Sequence, residues 1–526
     1  MAVDAPFVPN FMNMRYVGDY ASHAAQRFPD RPAIISDTGS LTYRELDDAS
    51  NRFAQYLVAQ GYKPGTRIAY LGKNSELMFP VFFGCIRAGC VLVPINWRYA
   101  VAEVAYVVAD AEAALLIFGQ EVASIAQAAA ASLRSTVRLL PTTGLPGVNE
   151  TLTSVLKSDP ASRPPLDADP DRCVLQLYTS GTTGKPKGVM LSHRAMSVAR
   201  WVEMDAPDWR DWSDDDVILS AMPNFHSGGL AWMLIGLMRM LTCILTADPS
   251  PASLLALSVR HRVTRTFIVP SVVRVILDAI EASGEPAPPL KTIFYGAAPM
   301  DVALIQRTMR VFGACGFGHY YGMTETAGSV TFLAPREHDT HHPERLRSVG
   351  RALPGYQIEV RDPNGQPLPP GKHGELWVKS PTVMLGYWKL PDATAEALVD
   401  GWYRTGDGAY LDADGFVFLT DRIRDMIISG GENVYPVEVE QVLRLHPAVQ
   451  DVIVIGVPDT KWGETVCAVV EWREGQSATL EALREFARAH IAAYKLPTML
   501  RSTQTLPRTA TGKLQRGEAR KRIMNA

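Results

Sequence analysis

Apolar residues in the first part of the chain switch between helical and strand spacing. After Thr42 they recur at intervals of three and four, which predicts an amphipathic helix, and Thr42 with Glu45 forms a capping box at its start. Short apolar runs at 67–71 and 91–94 predict strands on either side of a second helical segment at 78–88. Strands that alternate with helices indicate parallel βαβ units.

A second series of the same kind follows a polar stretch. Residues 140–171 are rich in Pro, Ser, Thr and Asp, which predicts a surface connection. After it, apolar runs at 265–269 and 292–295 predict further strands. The chain is therefore predicted to contain two βα subdomains.

The pattern changes at residue 348. Short strands such as 358–360 and 375–378 lie between Pro and Gly turns and predict a β-barrel-like unit over 348–421. Strands at 452–455 and 466–470 belong to a new α/β series, so we place a domain boundary near Arg422. The predicted fold class is α/β, and 526 residues exceed the size of one hydrophobic core.

Composition and charge exclude several classes of protein. The net charge of −3 argues against a nucleic-acid binder, and six cysteines without a CxxC pair argue against a zinc site or a disulfide framework. The longest apolar stretch, 228–245, is interrupted by Arg239, so no membrane span is expected. No secretory signal opens the chain, and we expect a cytoplasmic protein. Peripheral membrane contact and a homodimer are left open.

The strongest chemical signal lies at 178–188. Three glycines, four hydroxyl residues and two lysines occur within these eleven positions. Glycines let backbone N–H groups approach an anion, and hydroxyls and lysines add hydrogen bonds and charge, so the segment predicts a polyphosphate cradle. The spacing does not fit a Walker loop. The alternative is a flexible linker, which the apolar strands expected on both flanks disfavour.

This loop resembles the phosphate loop of the adenylate-forming enzymes, which comprise acyl-CoA synthetases, peptide-synthetase adenylation domains and beetle luciferases. The resemblance spans nearly the whole chain, with further motifs in the family's order. It implies an ATP site whose phosphate loop contains Thr179, Ser180, Gly181, Thr182, Thr183, Gly184 and Lys187.

Two further motifs complete the adenine and phosphate contacts that the resemblance implies. In the segment Tyr320-Tyr321-Gly322, Tyr321 stacks on adenine; Thr324 then contacts phosphate and Glu325 holds Mg²⁺, a cation that prefers hard oxygen ligands. The small residues Gly296, Ala297 and Ala298 form a wall beside adenine. Taken alone, these segments also fit an ordinary helix start and a strand-to-helix turn.

The resemblance assigns Asp407 to the ribose hydroxyls and Arg422 to ribose and phosphate, with a surface turn as the alternative for both. It implies that Ser429, Gly430, Gly431 and Glu432 line a tunnel for coenzyme A, where the alternative is a plain Gly-Gly turn. Lys513 in the segment PRTATGK resembles the lysine that bridges the acid's carboxylate and the α-phosphate.

The family's domain organisation carries over as well. It implies an N-terminal domain over 1–421, a hinge at 422–424 and a small, mobile α+β domain over 425–526 that rotates between two half-reactions. Arg424 departs from the Asp or Lys that is usual at the hinge.

By resemblance, the acid lies near His226, Gly228, Gly229 and Trp232. The apolar, small-residue stretch from 228 to 234 favours a hydrophobic carboxylic acid, and a capping or core histidine is the alternative for His226. A cluster of His338, His341 and His342 around Asp339 matches no metal-ligand spacing, so we expect a solvated loop there.

Four functions remain in competition. The first is an AMP-forming ligase that joins a medium- or long-chain fatty acid to coenzyme A; aryl and alicyclic acids stay open. The second is an enzyme that loads a carrier protein. Relatives that activate amino acids usually place Asp after the aromatic at Phe225, where this chain has His226. The third is a luciferase-like oxygenase, and the fourth is an inactive binding protein, which the presence of Glu325, Asp407 and Lys513 disfavours.

Overall fold

The computed structural model describes residues 16–134, 136–158, 162–164, 169–179, 185–205, 211–298, 300–422, 425, 427–429, 432–459, 463–488, 490–491, 493–509 and 514–524. Among these residues the helices are α1 (Tyr20–Arg27), α2 (Tyr43–Ala59), α3 (Met78–Arg87), α4 (Val101–Asp110), α5 (Ala123–Ala131), α6 (Leu152–Leu156), α7 (His193–Asp205), α8 (Ser227–Met238), α9 (Pro251–Arg260), α10 (Pro270–Ser283), α11 (Val302–Phe312), α12 (Pro391–Ala397), α13 (Pro436–Leu443), α14 (Leu480–Arg488) and α15 (Arg516–Met524).

The strands are β1 (Pro32–Ser36), β2 (Ser40–Thr42), β3 (Arg67–Leu71), β4 (Val91–Ile95), β5 (Leu115–Phe118), β6 (Arg138–Pro141), β7 (Cys173–Thr179), β8 (Lys187–Ser192), β9 (Val217–Ser220), β10 (Thr242–Leu245), β11 (Arg265–Ile268), β12 (Thr292–Gly296), β13 (Gly316–Met323), β14 (Gly328–Leu333), β15 (Arg351–Ala352), β16 (Gln357–Arg361), β17 (Gly374–Lys379), β18 (Gly386–Tyr387), β19 (Leu398–Val399), β20 (Trp402–Leu411), β21 (Val417–Arg422), β22 (Ile427–Ser429), β23 (Glu432–Val434), β24 (Val449–Asp459), β25 (Gly463–Trp472) and β26 (Met499–Thr503).

Two large sheets carry the N-terminal part. One has seven strands in the order β18-β8-β7-β4-β3-β5-β6, and the other has nine in the order β15-β14-β13-β12-β11-β9-β10-β1-β2. Pairing is parallel between β3 and β4, between β3 and β5, and between β11 and β12, so the predicted βαβ units are confirmed. In α/β sheets of this kind, ligands bind beyond the carboxyl ends of the strands.

Local sequence signals explain where α2 begins. The Thr42 hydroxyl accepts from the Glu45 N–H at 3.2 Å, and the Glu45 carboxylate accepts from the Thr42 N–H at 2.8 Å. The predicted capping box is therefore present. The helix then buries Leu46 and Phe53 in the main hydrophobic core.

The expected surface connection at 140–171 is wrong in part. Within it, α6 buries Leu152 and Val155 in the same core as α2. A helix of five residues shows too few apolar positions to stand out from the polar composition around it.

The β-rich unit is an antiparallel sheet with the order β16-β17-β20-β19, and β21 pairs with β20. Val360, Leu376 and Val417 lie in its core. It forms an open half-barrel, and β18 leaves it to join the edge of the seven-stranded sheet at β8.

The C-terminal part has its own core. The long strands β24 and β25 pair antiparallel and contain both strands predicted at 452–455 and 466–470, while β26 adds a parallel strand. Val452, Val466 and Leu483 are fully or almost fully buried there. Within the part of the chain that the structure describes, no helix is long and apolar enough to cross a membrane.

Candidate active site

A sharp turn follows the carboxyl end of β12. A side chain on Gly296 would begin 2.3 Å from the carbonyl oxygen of Tyr320, so only glycine fits this close approach. The next residue, Ala297, has φ of 63°, a left-handed conformation that costs a residue with a Cβ about 1 kcal/mol or more. Ala298 is half-buried. A strained, small-residue wall therefore stands where the sequence predicts the adenine contact.

Residues along β13 alternate between the core and the site. Tyr320 is buried and stacks on Phe332 with ring centroids 4.5 Å apart, so its side chain packs in the core. Tyr321 points the other way, and its phenol donates to Asp407 Oδ2 at 2.6 Å. Gly322 permits the strand to bend, because a Cβ there would lie 2.0 Å from the Gly328 carbonyl oxygen.

Asp407 is held by the half-barrel sheet. Its N–H donates to the Thr405 hydroxyl at 3.0 Å, and that hydroxyl donates to the Leu376 carbonyl at 2.7 Å. In the strand pair β20–β21, Asp407 lies opposite Arg422, whose side chain is outside the described residues. The structure thus brings Asp407 to Tyr321, two residues that lie far apart in the sequence.

A short 3₁₀ turn carries Thr324 and Glu325. The Thr324 hydroxyl donates to Ser227 Oγ at 3.4 Å. Tyr387 donates its phenol proton to Glu325 Oε1 at 3.0 Å, and the Met384 N–H donates to the Glu325 carbonyl at 2.8 Å. The Glu325 carboxylate is a hard oxygen donor, so it fits the part of one protein ligand of a magnesium ion that is otherwise bound by phosphates and water.

The predicted phosphate loop falls between β7 and β8, which pair antiparallel. Residues 180–184 lie outside the described residues, but Thr179 and Lys187 pair directly across the two strands. The Lys187 ammonium lies 4.9 Å from the centroid of the Tyr387 ring. On the other strand, the Tyr178 phenol donates to Asp110 Oδ2 at 2.6 Å. Charge and phenol groups therefore flank the loop at both of its ends.

A buried ion pair on α7 is hydrogen-bonded to the backbone that directly follows the turn at Glu325. Arg200 and Glu203 are both buried on α7 and contact each other at 2.7 Å. Arg200 also donates to the Ala327 carbonyl at 3.1 Å, and Glu203 accepts from the Ser329 N–H at 3.4 Å. Burial raises the pKa of Glu203, and Arg200 opposes that rise.

His226 caps helix α8. Its ring Nδ1 accepts from the Gly228 N–H at 3.1 Å, so the capping role that was left open for this residue is observed. Trp232 lies in the core, where its indole N–H donates to the Leu219 carbonyl at 3.0 Å and its ring packs on Phe294. Contact of Gly228, Gly229 and Trp232 with an acid stays a prediction.

A cavity lies at the carboxyl ends of two strands of the nine-stranded sheet. Its volume is about 220 Å³. Its lining comes from the carboxyl ends of β9 and β11, from α9 and α10, and from Trp97 and Arg98. Among the described residues, Met222 and Pro223 line it but the stretch 228–234 does not.

The C-terminal candidates are described only in part. Ser429 and Glu432 lie opposite each other in β22 and β23, but Gly430, Gly431 and Lys513 are outside the described residues, as is Arg424 in the predicted hinge. Arg508 and Leu514 form an isolated antiparallel bridge on either side of the Lys513 segment.

The expectation for the histidine cluster needs a correction. His338 is buried, with its Nε2 2.9 Å from the Tyr295 phenol and its Nδ1 2.9 Å from the Ala334 carbonyl oxygen. His341 and His342 are exposed, as a solvated loop requires. The described residues contain no group of side chains that could hold a metal through His, Cys, Asp and Glu together.

Sequence reasoning missed Tyr387, the Tyr178–Asp110 pair and the Arg200–Glu203 pair. A phenol that supports a carboxylate carries no spacing signal, because the two residues lie on different elements far apart in the sequence. Arg200 and Glu203 are three positions apart on α7, a spacing that does indicate an ion pair on a helix. For Tyr387 the hint is the turn-prone and aromatic sequence Gly386-Tyr387-Trp388 inside a region predicted to form barrel strands.

Comparisons with known proteins agree with this geometry. A family profile described as AMP-binding enzyme matches residues 21–388, and one described as AMP-binding enzyme C-terminal domain matches residues 438–513. The chain is 38% identical to a fatty acid–[acyl-carrier-protein] ligase, ScoC, of Streptomyces coeruleorubidus, over 95% of both chains. It is 37% identical to a feruloyl-CoA synthase of an Amycolatopsis species, over 97% of this chain and all of the relative.

A solved structure shows the same fold. ATP-bound MatB from Rhodopseudomonas palustris superimposes with a TM-score of 0.85 at 30% identity, covering 96% of this chain and 99% of that one. The matched profiles span the larger part and the C-terminal part of the chain in order. The chain therefore belongs to the AMP-binding, adenylate-forming enzymes, as a member of the AMP-forming acid–thiol ligase family.

Proposed function

We propose that the protein activates a hydrophobic carboxylic acid with ATP and transfers the acyl group to coenzyme A. The observation that carries this proposal is an apolar cavity whose lining residue Phe267 packs against the wall beside the predicted adenine site. Phe267 lines that cavity, and its ring comes within 3.4 Å of where a side chain on Gly296 would begin. An apolar tail in the cavity would therefore bring its carboxyl end to the nucleotide.

Each group has a role in the first half-reaction. A carboxylate oxygen of the acid attacks the α-phosphorus of ATP and pyrophosphate leaves. Thr179, Lys187 and Thr324 bind phosphate oxygens, Asp407 accepts hydrogen bonds from the ribose hydroxyls, and Lys513 stabilises the negative charge that builds up in the transition state. Glu325 would hold Mg²⁺, which would supply positive charge to neutralise the phosphates.

The second half-reaction exchanges AMP for the thiol. The sulfur of coenzyme A loses its proton and attacks the carbonyl carbon of the acyl-adenylate, and AMP leaves. We assign the loop 429–432 to this step, on a C-terminal domain that begins at residue 425 and rotates about a hinge at 422–424. The N-terminal domain, residues 1–421, holds the nucleotide in both steps.

A medium- or long-chain fatty acid fits the cavity's mostly aliphatic lining best. Leu254, Leu255 and Ile276 lie there together with Val272 and Leu290. Relatives at similar identity are named for fatty acids and for ferulate, so an aryl acid is the competing substrate.

A carrier protein is the second candidate acceptor, because a relative at 38% identity is a ligase for an acyl carrier protein. The two acceptors make different demands on the protein. Coenzyme A brings its own nucleotide, whereas a carrier protein needs a docking surface.

The test is a panel of acids of different length and shape, including ferulate, incubated with ATP and Mg²⁺ and with either coenzyme A or a pantetheinylated carrier protein. Chromatography of the nucleotides should show AMP and pyrophosphate, with thioester formed on coenzyme A. ADP as the main product would overturn the chemistry, and thioester on the carrier protein alone would select the second candidate.

A further inference from the structure

Strand β18 joins two parts of the site that come from different sheets. It pairs antiparallel with β8, with Gly386 opposite Met190 and Tyr387 opposite Val189. Backbone hydrogen bonds extend this contact, since the Trp388 N–H donates to the Gly188 carbonyl at 2.7 Å. Just before the strand, the Met384 N–H donates to the Glu325 carbonyl at 2.8 Å. One short segment is thus hydrogen-bonded both to β8, which follows the predicted phosphate loop, and to the turn that bears Glu325.

The Tyr387 side chain also contacts both parts of the site, through its phenol and through its ring. Its phenol donates to Glu325 Oε1 at 3.0 Å, while its ring faces the Lys187 ammonium at 4.9 Å. A hydrogen bond from a neutral donor favours the ionised form of a carboxylate, and an aromatic face attracts a cation. One residue therefore contacts both the carboxylate and the lysine.

A second tyrosine lies behind the first. Tyr403 is buried beside Glu325 and Tyr387. Tyr403 lies on β20, four residues before Asp407 on the same strand. The support of Glu325 is therefore continuous with the strand that carries the ribose carboxylate.

We propose that Tyr387 is a positioning residue that orients the Glu325 carboxylate for Mg²⁺ and holds Lys187 toward the phosphates. This inference rests on the proposed function, which gives Glu325 and Lys187 their ligands. Removal of a hydrogen-bond partner behind a metal ligand typically lowers metal affinity or activity by about 10- to 100-fold. Loss of an aromatic face beside an ammonium has a smaller effect, roughly two- to fivefold.

The first experiment uses Tyr387→Phe, which removes only the phenol oxygen and keeps the ring beside Lys187. We expect the Mg²⁺ concentration for half-maximal pyrophosphate exchange to rise about tenfold. We also expect Mg²⁺ to tighten ATP binding less than in the wild type, as measured by calorimetry without an acid. Tyr56→Phe is the matched control, because Tyr56 donates to Glu150 at 3.1 Å in a phenol–carboxylate pair on the remote helix α2.

The second variant, Tyr387→Leu, also removes the ring. It should weaken ATP binding a further two- to fivefold at saturating Mg²⁺, roughly, because Lys187 loses its support. Both variants should slow the conversion of a supplied acyl-adenylate to thioester less than they slow adenylation, since Mg²⁺ and the β- and γ-phosphates take part only in the first half-reaction.

The outcomes separate the two proposals. If wild type and Tyr387→Phe show the same Mg²⁺ dependence in both measurements, the inference is overturned even though the enzyme is active. If the wild type forms no adenylate from any acid, the proposed function fails instead, and calorimetry still decides on Tyr387 because it needs no turnover.

Discussion

Tyr321 and Asp407 are joined by a hydrogen bond of 2.6 Å between a strand of the nine-stranded sheet and a strand of the half-barrel. The bond fixes the carboxylate that we assign to the ribose relative to the ring that we assign to adenine. Both groups contact the nucleoside part of ATP in this assignment, so their bond concerns ATP rather than the acid.

Tyr321→Phe should therefore raise the KM for ATP about tenfold while the KM for the acid stays the same, because a hydrogen bond to a charged group contributes roughly 1.5–3 kcal/mol. The ring that stacks on adenine is retained. Steady-state pyrophosphate release with each substrate varied in turn measures the split. An equal rise in both constants would contradict the assignment, and Tyr56→Phe again serves as the control.

The acid has two alternative locations, the cavity beside α9 and the segment along α8. Leu255 lines the cavity on α9, whereas Ala231 on α8 is buried at 8% exposure and lies outside that lining. Leu255→Trp should disfavour long acids relative to short ones by roughly tenfold or more, since overpacking costs ~1–3 kcal/mol. Kinetic constants for acids of two lengths provide the measurement.

Val259→Trp is the control for that change, because Val259 lies on the same helix at 66% exposure. Ala231→Trp tests the placement that the sequence favoured. If Ala231→Trp alone discriminates by length, the acid lies along α8 and the cavity assignment is wrong.

Three buried histidines should make the fold sensitive to acid. Burial lowers the pKa of His338 and of His193 to about 4 and that of His319 to about 3. Because these values lie below the ordinary pKa of 6.5, the unfolded chain binds protons that the folded chain excludes. The free energy of unfolding should thus be fully maintained above a pH of about 6.5 and fall below it, by up to about 1.4 kcal/mol per pH unit for each histidine.

Urea unfolding between about pH 7.5 and 5 measures this slope. His338→Gln should reduce the slope, whereas His341→Gln, at an exposed position in the same segment, should leave it unchanged. An unaltered slope in His338→Gln would mean that other groups cause the acid sensitivity.

The C-terminal residues should separate the half-reactions. Lys513→Ala should slow adenylation at least ~10²-fold, by analogy with the loss of one group that stabilises transition-state charge, yet still convert a supplied acyl-adenylate to thioester. Gly431→Trp should do the reverse. Pyrophosphate exchange and single-turnover thioester formation measure the two steps, and equal damage to both by Lys513→Ala would refute the domain rotation.

Periodic segments were predicted well because their neighbours in sequence decide them. The capping box of Thr42 and Glu45 and the strands on both sides of 78–88 depend on residues within one or two turns. Short elements such as α6 were missed, since five residues give no reliable period. The long antiparallel pair β24–β25 shows that strand identity can be predicted when pairing partner and direction cannot.

Site residues were predicted from their motifs, but the residues that hydrogen-bond to their side chains were not. Asp407 and Glu325 stand in recognisable segments, but the phenols of Tyr321 and Tyr387 reach them from strands far away in sequence. His338 shows the reverse error, because a histidine in a polar segment was expected in solvent and is buried against Tyr295. Such contacts depend on sheet topology, which local composition does not encode.

The pairing of β18 with β8 also has a consequence for biosynthesis. Positions 190 and 386 are about 200 residues apart, so at a translation rate of ~5–20 residues per second the hairpin exists for ~10–40 s before its edge partner is made. During that interval the backbone donors and acceptors along the outer side of β8 are open to pairing with other chains. The last strand to reach the seven-stranded sheet is thus also the one that protects the nascent protein from aggregation at this edge.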